Sequence, residues 1–396
     1  MKKFLFAPFM MNLGESQRLS QIAQRLQEEG YEIHILGKNF YPFLFENPNY
    51  IFHECLADEH IYSEERYKDF FSFDTDFNFL TDEEIKEVCN FERKLLNEYN
   101  FSAVFTGYRL SIVVSCKIEK VPLIWIISGA IHIDEIVQNI EGIVPNNMNY
   151  RLQSEAVKNT LKRVVLSYSN NVKSWNRYLQ SEGTSTLKNS LELFTGDLNL
   201  IADYSKFYMF NNQKEYKIVG PILFSAPKKF LNIDNKNKKI LLSFGTSFDK
   251  EWVQQFIEKL PNEYSYILTT CGEKFHLGEK DIELQKFIDF KNLSDKISFA
   301  IIHGGQGTVY AMAEQAIPFI GIPFFNEQLW NIKKFSDFGA AFLMKKEEDI
   351  KKIISTFTLT ISDYQNEMLE ISQGILRESS KSLDNVVKEV VQFIEQ

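Results

Sequence analysis

The residues best suited to chemistry in this 396-residue chain gather between Ile301 and Asn331, in the run IIHGGQGTVYAMAEQAIPFIGIPFFNEQLWN. An apolar stretch ends at His303, and Gly304, Gly305 and Gly307 follow. A helical pattern begins near Thr308, with Val309, Met312, Ala313 and Ala316 on one face. A helix start reached through glycines offers unpaired N–H groups and the positive end of the helix dipole, which together bind anions such as phosphate. Thr308 adds a hydroxyl, and His303 a ring N–H. Donors fixed at such a turn stabilise the charge that grows on a departing diphosphate. Taken alone, HGG is equally read as a structural turn beside a buried histidine.

The N-terminal half offers candidates for proton transfer. Glu15, in the turn Leu13-Gly14-Glu15-Ser16, can act as a general base. It can equally complement a helix dipole, which would lower its pKa and weaken it as a base. His132 and Asp134, in SGAIHIDEI, form an alternative pair in which the acid orients the imidazole; a surface histidine is the plainer reading. Asp74 and Asp76 have a spacing that can hold a divalent ion. They lie in an acidic, aromatic stretch far in sequence from the glycine turn, so they read as solvated surface and no metal is expected. Phe9, Met10, Met11 and Trp125 can line a pocket for a flat apolar molecule, with core packing the favoured alternative.

These residues need a scaffold, and the hydrophobic pattern indicates one. Phe4 to Met10 reads as a strand. Leu19, Ile22, Ala23 and Leu26 have helical spacing, with Gly30 at the C-cap, and Ile33 to Leu36 begin a second strand. Ala103–Phe105, Leu110–Lys117 and Leu123–Ile127 repeat the pattern. Residues 53–98 read as an irregular or helical insertion and 151–190 as helical and polar. After Gly220-Pro221 the stretch SAPKKFLNIDNKNKK reads as a linker. The alternation then restarts with Ile240–Phe244, Trp252–Leu260, Tyr264–Thr269, Phe299–Ile302 and Phe319–Ile322. Near-continuous apolar strands alternating with helices indicate α/β architecture with parallel sheets. The division is 1–221, a linker over 222–239, a second domain over 240–372, and a helix over 373–396 with the option of packing back on the first. Its stripe is Leu383, Val386, Val387, Val390, Val391 and Ile394.

Composition narrows the function classes. A net charge of −9 without a basic cluster disfavours nucleic acid and anionic membranes as partners. The four cysteines form no CxxC, which disfavours zinc and a disulfide framework and fits a reducing, cytoplasmic setting. MKKFLFAPFMMN imitates a signal peptide only faintly, and no leader is expected. No apolar run approaches the ~20 residues of a membrane span.

The run from His303 resembles the donor-binding signature of nucleotide-sugar-dependent glycosyltransferases of the GT-B fold. The likeness points to the branch of UDP-glycosyltransferases and bacterial natural-product glycosyltransferases. It rests on His303, Gly304, Gly305, Gly307, Thr308, Pro318, Pro323, Glu327, Gln328 and Asn331. LSFGT at Leu242–Thr246, VGPI at Val219–Ile222, GYRLS at Gly107–Ser111 and VPL at Val121–Leu123 extend it. The resemblance is strong over 240–331 and thin over 40–100 and 130–215. It implies two doubly wound Rossmann-like domains facing each other across a cleft, acceptor in the first and nucleotide sugar in the second. It further implies a metal-independent hexosyltransferase using no cofactor beyond the donor and acting on a hydroxyl of a small, aromatic or apolar acceptor. Gly245, Thr246, His303, Gly304, Gly305, Gly307 and Thr308 would surround the diphosphate. Phe290 would stack on the base, unless it is a core ring, and Glu327 and Gln328 would bind sugar hydroxyls.

Three departures stand out against that family. Glu327 replaces the usual Asp, Glu15 the usual His or Asp, and Ala311 a Glu that grips ribose. Glu314, three residues on and ~4.5 Å further along a helix that leads away from the glycine turn, covers only part of that distance, so weaker, less ribose-selective donor binding is expected. Glu327 leaves the sugar open, whereas Glu15 and Ala311 keep open a catalytically impaired GT-B binding protein. An enzyme making glycolipids at a membrane surface is a further alternative.

Overall fold

A computed structural model describes residues 2–10, 12–38, 41–63, 66, 80–132, 135–136, 156, 159–160, 163, 166–167, 169–208, 216–224, 238–245, 248–291, 293–345 and 348–396. Two units divide the chain: Met1–Ile222 with Ser380–Gln396, and Leu223–Ser379.

The first unit is built on a seven-stranded sheet in the order β3-β2-β1-β4-β5-β6-β7. Its strands are β1 (Lys3–Phe6), β2 (Glu32–Leu36), β3 (Ile51–His53), β4 (Ala103–Thr106), β5 (Leu123–Ile127), β6 (Leu198–Ile201) and β7 (Tyr216–Ile218). All pairings are parallel. Burial on both faces explains the unbroken apolar runs of β1, β4 and β5. Phe6 stacks on Phe105 at 4.5 Å, joining β1 to β4 through their side chains as well as their ladder.

Helix α1 (Leu13–Glu28) already includes the residues Leu13 to Ser16 that read as a turn in the sequence. Asn12 is the reason: its side chain accepts from Glu15 N at 3.0 Å and caps the first turn. Gly30 takes the left-handed conformation just past the helix, φ 88°. The 53–98 segment contains helix α2 (Asp82–Tyr99), opened by a Thr81–Glu84 capping box. Helices α3 (Leu110–Glu119) and α4 (Lys173–Ser181) complete the longer helices described before residue 222.

The second unit repeats the plan with six strands in the order β10-β9-β8-β11-β12-β13, again all parallel. These are β8 (Lys239–Ser243), β9 (Tyr266–Thr269), β10 (Ile282–Gln285), β11 (Ile297–Ile302), β12 (Phe319–Gly321) and β13 (Ala341–Leu343). Helices α5 (Lys250–Lys259), α6 (Gln306–Glu314), α7 (Asn326–Asp337) and α8 (Ile350–Leu359) accompany them.

The tail forms one helix, α9 (Ile361–Ile394). Its last turns belong to the first unit. Val386 and Val390 are fully buried in the core of Leu19, Ile22, Ala23 and Leu26, with Leu383, Val387 and Ile394 partly buried beside them. Ser382 Oγ and Asn385 Nδ2 donate to the Pro221 and Val219 carbonyls at 2.9 and 3.0 Å. Truncating the buried Val390 to Ala removes apolar contact and leaves a void. Denaturant titration should show a loss of about 2 kcal/mol. A loss below ~0.5 kcal/mol, the range of a surface change, would mean that the stripe does not anchor the tail.

Candidate functional site

In each sheet the strand order reverses once, between β1 and β4 and between β8 and β11. In open parallel sheets ligands bind beyond the carboxyl ends of the strands at such reversals. Glu15 lies at the first of these places, and Gly245 and His303 lie at the second.

In the second unit, β8 leads into Gly245 and β11 into His303. His303 is buried, and its Nδ1 lies 3.3 Å from the Ser243 carbonyl. A carbonyl only accepts, so Nδ1 carries the proton. Desolvation holds the ring's pKa down to about 4, against the opposing pull of that carbonyl. The neutral ring therefore presents a bare Nε2, and it donates to an anion from that atom only once protonated. This corrects the simpler expectation of a ready N–H donor.

The ring sits between two glycines. A Cβ on Gly245 or on Gly305 would stand 2.6 Å from Nε2. Gly245 and Gly304 also have φ of 74° and 92°, values that side chains resist. Gly304 is further fixed by α7: Asn331 Nδ2 donates to its carbonyl at 3.1 Å, and Ile332 fills the space a Cβ would need. Gly307 differs. It lies exposed in the first turn of α6, and a Cβ there would meet nothing within 4 Å. Packing does not require glycine at 307, and glycine within a helix costs about 0.5–1 kcal/mol against alanine. Open access to the α6 N-terminus, beside half-buried Thr308, is what it supplies.

In the first unit, Glu15 stands in the first turn of α1 but does not face solvent; it is 2% exposed. Its Oε1 accepts from Gly107 N and Tyr108 N, each at 2.9 Å, in the loop between β4 and α3. Oε2 is buried with no hydrogen-bond partner among the described residues. Gly107 is glycine because a Cβ would lie 2.9 Å from Glu15 Oε1, and Trp125 Nε1 donates to its carbonyl at 3.0 Å. Burial pushes the Glu15 carboxyl up from 4.5 to about 7, while backbone bonds from Tyr108, Phe9 and Gly107 and the charge of Arg18 oppose the rise. The lowering expected from a helix dipole is thus outweighed by desolvation.

His132 follows β5. It is buried edge-on against Tyr216, centroids 3.7 Å apart, and desolvation lowers its pKa to about 4. That loop is tied to the end of β6 by Asp203, whose Oδ2 accepts from Gly129 N at 2.5 Å and from Ser128 Oγ at 3.2 Å. Asp134, Thr246, Met11 and the Asp74–Asp76 pair lie outside the described residues. Among the described residues no cluster of three or more His, Cys, Asp or Glu is arranged to hold a metal ion. Phe9, Met10 and Trp125 are buried core.

Residues 295–386, which contain the His303 turn, match the family model of UDP-glucuronosyl and UDP-glucosyl transferases. The calicheamicin glycosyltransferase CalG4 superposes with a TM-score of 0.69 at 13% identity, covering 100% of this chain and 99% of that one. The chain has the GT-B fold. One curated relative is a UDP-N-acetylglucosamine–N-acetylmuramyl-(pentapeptide) pyrophosphoryl-undecaprenol N-acetylglucosamine transferase of Thermosipho melanesiensis. It is 27% identical over 46% of this chain and 60% of its own length. UDP-glucuronosyltransferase 2A3 of Pongo abelii is 32% identical over 42% of this chain and 30% of its own length. The chain thus spans less than two thirds of these two relatives.

Other donor-side expectations meet a mixed geometry. Gln328 is buried, and its Oε1 accepts from Phe324 N at 2.8 Å, so its carbonyl serves the start of α7 rather than standing open. Glu327 is half-buried, with Oε1 3.4 Å from Asn331 Nδ2. Phe290 is half-buried in the loop before β11. Ala311 is buried, whereas Glu314 is half-buried; burial raises its carboxyl pKa, with Lys291 opposing and Asp289 adding to the rise. Those two charges flank Phe290 in the sequence. Sequence reasoning missed Asp203 and the buried acids Asp58 and Glu92. Glu92 had one signal, a charge on the apolar stripe of Ile85, Val88, Cys89 and Leu96.

Gly307→Ala should leave the fold intact or slightly more stable, yet weaken UDP binding about tenfold, ~1.4 kcal/mol by calorimetry. Unchanged affinity would remove Gly307 from the site. For Glu15 the folded-state pKa is raised, so its burial costs nothing below about 4.5 and destabilises increasingly as pH rises through about 7. The full penalty is on the order of 3 kcal/mol at ~1.4 kcal/mol per unit. Glu15→Gln should therefore gain stability over wild type between about pH 5 and about pH 8 in denaturant titrations. A difference that does not vary with pH would contradict the raised pKa.

Proposed function

We propose that the protein is a glycosyltransferase moving a sugar from a nucleoside diphosphate donor to a hydroxyl of a small acceptor. The observation that carries this reading is the family-matched turn His303–Thr308, seated where the second sheet reverses its order, with Gly307 leaving the α6 N-terminus open. The matched family makes uridine diphosphate the first nucleotide to test.

In this reading the α6 N–H groups meet the charge growing on the leaving diphosphate. His303 joins them after taking up a proton, which a nearby anion favours. These donors do the neutralising work, so the reading needs neither a metal nor a cofactor beyond the donor. Glu15 is the carboxylate at the start of α1 and takes the proton of the acceptor hydroxyl; a base with a pKa near 7 is matched to neutral solution. With Ala311 in place of a ribose-gripping carboxylate, the diphosphate and sugar contacts carry more of the donor binding. The net charge of −9 speaks for a small-molecule acceptor rather than nucleic acid, and the buried thiols of Cys55, Cys89 and Cys116 suit a reducing cytoplasm. No described helix is long and apolar enough to cross a membrane.

The test is the rate of UDP release from a panel of UDP-sugars and phenolic or alcoholic acceptors, measured against pH with EDTA present. Turnover should rise with pH through about 7 as Glu15 loses its proton. Glu15→Gln should lose ~100-fold in kcat, together with that pH dependence. Unchanged turnover in the variant would reduce Glu15 to a loop anchor, and activity restored only by magnesium or manganese would overturn the metal-free reading.

A further inference from the structure

Next to the Glu15 loop lies a buried ionic cluster that the proposed reaction does not use. Arg109 directly follows Tyr108, one of the two residues whose N–H groups hold Glu15. Its guanidinium grips Asp58 through both terminal nitrogens, at 2.8 and 2.9 Å, and its Nε donates to Glu92 at 2.7 Å. Glu92 also accepts from Ser111 and Ser115, each at 2.6 Å. Arg109, Asp58 and Glu92 are all buried. The three come from separate elements: a short helical turn at Asp58–Ile61, helix α2, and the loop after β4.

The cluster reaches Glu15 by a second route. The guanidinium carbon lies 5.2 Å from the centre of the Tyr62 ring, and the Tyr62 and Phe9 ring centres are 5.8 Å apart. The Phe9 backbone is the remaining backbone group that bears on the Glu15 carboxylate. Two carboxylates around one guanidinium are a poor device for stability alone, since buried ion pairs are often replaced by apolar residues without loss. What such a cluster does well is fix geometry, because a planar, bidentate guanidinium tolerates little misalignment.

We propose that Arg109, clamped by Asp58 and Glu92, is a positioning residue that holds the Gly107–Tyr108 amides on Glu15 and so sets how readily Glu15 releases its proton. The consequence for turnover rests on the reading of Glu15 as the base. The charged group bearing on Glu15 is Arg18 on its own helix, and the other groups are the Phe9, Gly107 and Tyr108 backbones. Around the cluster stand Tyr62, Cys55 and Cys89, all held neutral by burial.

The test titrates the Glu15 carboxyl carbon by NMR in full-length protein labelled at glutamate, the signal being identified by its loss in Glu15→Gln. Arg109→Lys keeps the charge and loses the bidentate grip. It should raise the Glu15 pKa by ~0.5–1 unit, because weaker amide bonds stabilise the carboxylate less. Glu92→Gln should also raise it, whereas removal of a nearby negative charge acting only through space would lower it. Should Arg109→Lys fail to fold, the sign of the Glu92→Gln shift decides. An unmoved Glu15 pKa in the folded variants, or a fall in Glu92→Gln, overturns the proposal and leaves the cluster as structure alone. A raised Glu15 pKa supports it; if the pH dependence of kcat then fails to follow, the reading of Glu15 as base is what fails, and the positioning role stands.

Discussion

Both sheets reverse their strand order once, and the chains leaving the two strands at the reversal diverge, so that neither connection covers the end of the other. The backbone there stays open to a ligand. At β8 and β11 this leaves Gly245 facing His303, with α6 starting directly behind. At β1 and β4 it leaves room for a side chain from α1 to turn inward and take the amides of the opposite loop. One topological constraint thus produces an open glycine turn at a helix start in the second unit and a buried acid in the first.

The two places use burial in opposite ways. Desolvation keeps His303 neutral and Glu15 protonated up to about pH 7. Each is therefore in the form that costs least while the protein waits, and each changes form for the reaction proposed. His303 gains a proton beside an incoming anion. Glu15 loses one and becomes a strong acceptor in surroundings that solvate it poorly. The Gly107 and Tyr108 amides temper that cost without removing it.

How far the sequence revealed this depends on how local the physics is. The glycine turn was legible because backbone binding of phosphate needs glycines and a helix start at fixed spacing, all within one short run from His303 to Thr308. The parallel sheets were legible from the apolar runs of β1, β4, β5 and β11. Short strands such as β7 (YKI) and β10 (IELQ) were not, since so few residues with polar members carry no clear period. Glu15 was singled out by position, but its electrostatics were read backwards. The dipole is a property of its own helix, whereas its burial depends on a loop 92 residues away. The same distance problem hid Asp58, which meets Arg109 across 51 positions. The commitment of Gln328 to Phe324 N was likewise invisible, because a motif gives residue types and not their bonds.

The most direct measurement is a calorimetric titration of the protein with UDP at neutral pH, run in two buffers of different ionisation enthalpy and repeated on His303→Ala. The account expects saturable binding accompanied by proton uptake. In the variant, proton uptake should vanish and affinity should fall about tenfold or more, the scale of one hydrogen bond to a charged group. Failure of the wild type to bind any nucleoside diphosphate, or equal affinity and equal proton uptake in the variant, would contradict it.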